Sequence, residues 1–176
     1  MDINVIAMLK TKEEFFAAYS PEDSKKTFND ESLLFWVLRN TKPDVYDMAN
    51  FLLDEGIDCT VRSRMGSTPL HPLFGRINWD LDATIALTKR LIDGGVDVNA
   101  LDKKNTSALI WIINHGVYSE EELAPLYDLW FSQPQTVLTV KSKYGKSPLD
   151  LAYAFNRPML VERMQKALAS ERQGDG

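Results

Sequence analysis

The sequence predicts an all-α fold of about four helix-pair repeats, each opened by a tight turn. Three observations predict it. A six-residue turn-and-cap pattern recurs four times along the chain. A helix end followed by a polar turn precedes the last three copies. Between these patterns run apolar stripes at helical spacing.

The turn pattern is clearest in Gly66-Ser67-Thr68-Pro69-Leu70-His71, Asn105-Thr106-Ser107-Ala108-Leu109-Ile110 and Gly145-Lys146-Ser147-Pro148-Leu149-Asp150. A weaker copy is Asp30-Glu31-Ser32-Leu33-Leu34-Phe35. The first residue of each is expected at positive φ, which Gly adopts freely and Asn and Asp less easily. The third is Ser or Thr, whose hydroxyl caps a helix N-terminus. Pro69 and Pro148 fit the first helical position, where a missing N–H costs nothing. The Leu that follows is expected to face the core.

The second pattern is clearest in Leu91-Ile92-Asp93-Gly94-Gly95-Val96-Asp97-Val98-Asn99-Ala100, with a second copy from Leu52 to Val61. Gly closes a helix and Asp or Asn begins a turn. The last instance, Trp130 to Val140, carries Gln135 after Pro134 in place of the Gly.

These residues resemble the ankyrin repeat through their TPLH-like and GVDVNA-like segments, most closely from Gly66 to Ala100 and, overall, from about Asp30 to Gln165. The resemblance implies a β-turn finger, an inner helix and an outer helix per repeat. Successive copies lie 36, 39 and 40 residues apart, counted from Ser32 to Thr68 to Ser107 to Ser147. That exceeds the usual period of about 33. The extra length falls between paired helices, near Thr41–Tyr46, Arg76–Ala83 and Val117–Leu123.

Two outer helices stand on periodicity alone. Val45, Met48, Ala49, Leu52 and Leu53 form one stripe, and Leu123, Leu126, Tyr127, Trp130 and Phe131 the other. Ser119 with Glu122 makes a capping box. Residues 1–28 are expected to form an N-terminal helical cap, with a helix near Lys12–Tyr19 and a break at Pro21. Repeats are expected at 29–60 (divergent), 61–100, 101–140 and 141–169, the last doubling as the C-terminal cap. Its outer helix starts at Pro158 with Leu160, Met164 and Leu168 inward, and residues 170–176 read as a frayed polar tail.

Composition narrows the class. Hydrophobic residues make up 44% and charged residues 26% of 176, as in a folded soluble chain. The net charge of −5 argues against general binding to nucleic acid or anionic membrane, though a local basic patch stays open. Cys59 is the lone cysteine, so no internal disulfide forms. The N-terminal apolar run is short and opens on Asp2, unlike a signal peptide, and no run of about 18 apolar residues marks a membrane span. Cytoplasmic location is the expectation.

No enzymatic motif is visible, and neither cofactor nor metal is expected. His71 falls at the TPLH histidine, a structural position bonded to finger backbone in the family it resembles. His115 ends an inner helix beside Gly116, where a cation is favoured. The acidic runs Asp54, Glu55, Asp58 and Glu120–Glu122 lie at helix ends and loops, as solvated carboxylates ordinarily do. Cys59 reads as packed.

The expected function therefore lies in surface. The ankyrin resemblance implies partner binding through finger tips and exposed inner-helix positions. The fingers carry Arg62, Arg64, Met65, Lys103, Lys104, Lys141, Lys143, Tyr144 and Lys146, with Asp102 the single acid. Such a strip steers an acidic protein partner, or it serves only solubility. The inner helices offer Trp36, Pro72, Trp111 and Leu151, then Arg39, Arg76, Asn114, His115 and Phe155. Trp36 and Trp111 are either binding anchors or packing residues. Trp79 is a weaker candidate, and Trp130 fits the core.

The reading is a monomeric, non-catalytic protein-binding module. The whole chain resembles single-domain bacterial ankyrin-repeat proteins, and one version of the reading is an immunity protein that neutralises a toxin. The alternatives are a self-associating scaffold subunit and an effector acting on a host protein.

Overall fold

The chain divides into two units, Met1–Asp97 and Val98–Gly176, and the computed structural model describes residues 1–174. The first unit opens with α1 (Ile3–Leu9) and α2 (Lys12–Ala18), the latter started by a Thr11–Glu14 capping box. Pro21 starts a short 3₁₀ turn, Pro21–Lys25. The expected cap helix is present. The apolar run before it is a helix as well, with Ala7 fully buried. Asn40 ties α1 down by donating from Nδ2 to the Ala7 and Lys10 carbonyls, both at 2.9 Å.

A two-residue hairpin follows. β1 (Thr27–Phe28) pairs antiparallel with β2 (Glu31–Ser32) around Asn29 and Asp30, at φ 54° and 63°. Next come α3 (Leu33–Leu38), α4 (Val45–Asp54), α5 (Leu70–Phe74) and α6 (Leu81–Asp93). In α3, Leu33, Leu34, Phe35, Val37 and Leu38 have no exposed surface, because the helix packs against α1, α4 and α5. The Tyr46 hydroxyl on α4 lies 2.8 Å from Thr84 Oγ1 on α6 and accepts from Asp80 N–H at 3.1 Å. Gly56 and Gly95 close α4 and α6 at φ 78° and 96°.

The second unit holds α7 (Leu109–Asn114), α8 (Glu120–Phe131), α9 (Pro148–Ala154) and α10 (Pro158–Gly174). Helix α9 packs on α7 and α10, and α10 packs on α8. Before α7, Asn105 turns the chain at φ 54° and Leu101 bridges Ser107. Before α9, Gly145 does so at φ 80°. The Ser119–Glu122 and Ser147–Asp150 capping boxes both form. Leu123, Leu126, Tyr127 and Trp130 are buried, as are Leu160 and Met164. Burial pushes the Tyr127 phenol up to about 12, so it is neutral.

Gln135 explains the missing glycine. Its buried amide donates to the Trp130 and Gln133 carbonyls, both at 2.9 Å, so a side chain satisfies the end of α8. Asn99 then laces two loops, donating to the Pro134 carbonyl at 2.8 Å and accepting from Thr136 N–H at 2.9 Å.

Several expectations change. Ser107 does not cap α7, which starts at Leu109 after Ala108, and Pro69 stands just before α5 rather than at its first position. Ser32 makes no side-chain cap bond. Helix α5 starts at Leu70, and Thr68 is used otherwise: His71 Nδ1 accepts from its N–H at 3.0 Å. The expected frayed tail is helical through Gly174, while Asp175 and Gly176 lie outside the described residues.

Candidate functional site

In the first unit, most of the expected contact residues are engaged within the protein. Trp36 is half-buried, and its indole N–H donates to the Phe28 carbonyl at 3.3 Å. Arg39 forks onto Glu31, with Nη2 2.7 Å from Oε1, and its guanidinium stands 5.8 Å from the Trp36 ring. Arg62 is exposed yet donates through Nε and Nη2 to the Gly66 carbonyl, closing its own turn. Pro72 is half-buried, whereas Arg64 and Met65 are exposed. Trp79 is buried against Phe74.

Arg76 departs most from expectation. Rather than facing a partner, it donates to the carbonyls of Leu38, Asn40 and Lys42, where α3 ends. A helix terminus leaves unbonded carbonyls, and a guanidinium offers several donors in a fixed fork. The second unit repeats the device without any sequence motif to announce it. Arg157 donates to the Ile113 and His115 carbonyls at the end of α7.

His115 changes role accordingly. The helix end favours a cation, and Arg157 supplies it. Burial and then the Arg157 charge push the imidazole below its ordinary range, which favours the neutral form. The ring stacks edge-on against Tyr118.

The remaining candidates are exposed, and they gather in the second unit. Trp111 on α7 is 42% exposed and Tyr144 at the 142–146 turn 68%. Phe155, just past α9, is 51% exposed, with Tyr153 at 57% beside it. Leu151 is half-buried and Asn114 exposed. The two turns of this unit are joined, because Lys143 N–H donates to the Lys104 carbonyl at 2.9 Å. Lys103, Lys104, Lys141, Lys143 and Lys146 all point into solvent. Sequence reasoning missed Tyr153, which sits one turn of α9 beyond Asp150.

Cys59 is buried, its thiol pushed up by desolvation and 3.6 Å from the Gly94 carbonyl. A shallow groove of about 280 Å³ lies in the first unit along Lys26, Thr27, Ser32 and Gly56–Asp58. Among the described residues, no helix is long and apolar enough to cross a membrane, and no three His, Cys, Asp or Glu residues are grouped to hold a metal.

The fold defines an all-α protein of short and long helices joined by tight turns. No protein-family model matches the chain. It is similar to a crystallised, functionally unknown protein from Leptotrichia buccalis C-1013-b, at 30% identity and a TM-score of 0.87, over 97% of this chain and 94% of that one. At that identity and coverage the two belong to one family. The chain is also 36% identical over 109 residues to the NAD-dependent deacetylase sir2B of Dictyostelium discoideum. That match covers 61% of this chain and 13% of the deacetylase, so the chain spans about an eighth of that relative's length.

Proposed function

We propose that the chain is an ankyrin-repeat protein and acts as a non-catalytic protein-binding module. Its helix pairs would then be repeats, α3, α5, α7 and α9 inner helices, and the turns before them fingers. One observation carries the binding reading. Trp111, Tyr144, Tyr153 and Phe155 expose large aromatic surface within one unit, whereas in the other Phe16 alone among the large exposed hydrophobics is aromatic, and Trp36, Trp79, Tyr127 and Trp130 are partly or wholly covered. Exposed tryptophan and tyrosine suit an interface because they bury large area at low entropic cost. The match to the deacetylase covers too little of that enzyme to bring its activity here.

Neutralising a secreted bacterial toxin is the version of this function we favour, by analogy with small stand-alone ankyrin proteins. The test is affinity capture from native lysate with wild type and Trp111→Ala, both checked for folding by circular dichroism. A partner lost only from folded Trp111→Ala supports the reading; a partner retained equally moves the site away from α7. If the captured partner halts growth when expressed alone and co-expression restores it, the immunity version stands. A partner harmless when expressed alone sinks that version and leaves a general adaptor.

A further inference from the structure

The chain has twelve lysines, and they fall into two populations. Of the seven outside the second unit's turns, Lys10, Lys12, Lys25, Lys26, Lys89 and Lys166 each sit within ion-pair distance of a carboxylate. Among the described residues, Lys42 has no such carboxylate. Of the five on the turns, Lys103, Lys104, Lys141, Lys143 and Lys146, none is ion-paired among the described residues.

Acids are near these five but turned elsewhere. Asp102 Oδ1 accepts from the N–H groups of Lys104 and Thr106, at 2.8 and 2.9 Å. Asp150 Oδ2 accepts from Ser147 N–H at 2.9 Å as part of a helix cap. The backbone bond from Lys143 to Lys104 holds the two turns side by side, so their ammoniums repel one another; the Asp150 charge acts on Lys141 and Lys146 only at a distance, without an ion pair. Lys143 Nζ lies 5.5 Å from the Tyr144 ring centroid, which adds an aromatic edge to the cationic one. Trp111 follows four residues after the first turn.

We propose that these two turns bind an acidic polypeptide segment, its carboxylates set against Lys103, Lys104, Lys141, Lys143 and Lys146 and an apolar side chain against Tyr144. The proposal rests on the protein-binding reading and names the chemistry of the partner. A short acidic segment fits better than nucleic acid. The chain is net −5, so a long polyanion that overran the patch would meet repulsion.

The test uses the full chain and a fluorescein-labelled peptide of about twelve Asp and Glu residues with one central Leu, read by anisotropy, beside a single-stranded oligonucleotide of the same charge. Expected are binding of the peptide that weakens with salt, roughly tenfold loss in Lys104→Gln/Lys143→Gln, and no change in Lys89→Gln/Lys166→Gln. Lys103→Gln/Lys141→Gln provides a second variant should the first misfold, with the same loss expected. Equal loss in the control variant, or preference for the oligonucleotide, overturns the proposal. Absence of peptide binding alongside a lysate partner that depends on Trp111 overturns it too, and leaves the protein-binding reading standing.

Discussion

Arg157 donates from Nε to the carbonyl of Ile113 at 3.1 Å, reaching back 44 residues along the chain to close the end of α7. The same guanidinium reaches the His115 carbonyl. Arg76 performs this task for α3. A hydrogen bond from a charged donor contributes about 1.5–3 kcal/mol when its acceptor is otherwise buried. Arg157→Ala and Arg76→Ala are each expected to cost about 2 kcal/mol in urea unfolding. A lysine presents a point charge rather than a fork, so Arg76→Lys should recover less than half of that. A loss under about 0.5 kcal/mol would show that water replaces the clamp.

Burial, with the clamp second to it, sets the titration of His115. Its folded pKa lies below the unfolded value of 6.5, first through burial and then through the Arg157 charge. Above 6.5 both states are neutral there, and the residue adds no pH dependence. As pH falls below 6.5 the unfolded chain takes the proton first, so stability declines until the folded pKa is reached. His115→Gln should flatten that stretch of the stability curve. Arg157→Ala should move the imidazole back toward 6.5 in an NMR titration, and an unmoved resonance would assign the whole shift to burial.

How much of this the sequence disclosed depends on the range of the interaction. Residue type alone places Asp30, Gly66, Asn105 and Gly145 at positive φ, and all four adopt it. The Ser119 box and the helix start at Pro158 were equally legible, because caps involve residues three apart. Arg76 and Arg157 were not. Their partners lie 34 to 44 residues away, and an arginine near a helix end looks the same whether it faces a carbonyl or a partner. The two tryptophans were indistinguishable for that reason as well.

Gly94 and Cys59 offer a test of close packing. A Cβ added at Gly94 would stand 2.7 Å from Cys59 Sγ and 3.2 Å from the Arg90 carbonyl. Gly94→Ala is therefore expected to destabilise by about 1–3 kcal/mol. Cys59→Ala removes the sulfur and leaves room for the methyl. In a double-mutant cycle the pair should recover at least about 1 kcal/mol of the summed losses. Simple additivity would place the strain on the Arg90 carbonyl instead.

Trp36 and Trp111 occupy matching positions in their patterns, four residues after Ser32 and Ser107, yet they are expected to behave oppositely. Trp36 covers the first hairpin and donates to Phe28, so Trp36→Ala removes buried area and a hydrogen bond together. A loss of about 2–4 kcal/mol follows, with the hairpin loosened in hydrogen exchange. Trp111 is 42% exposed, so Trp111→Ala should change stability by less than about 1 kcal/mol. Its cost should fall on partner capture. Equal destabilisation by both substitutions would make Trp111 a packing residue, and the aromatic surface of the second unit would then rest on Tyr144, Tyr153 and Phe155.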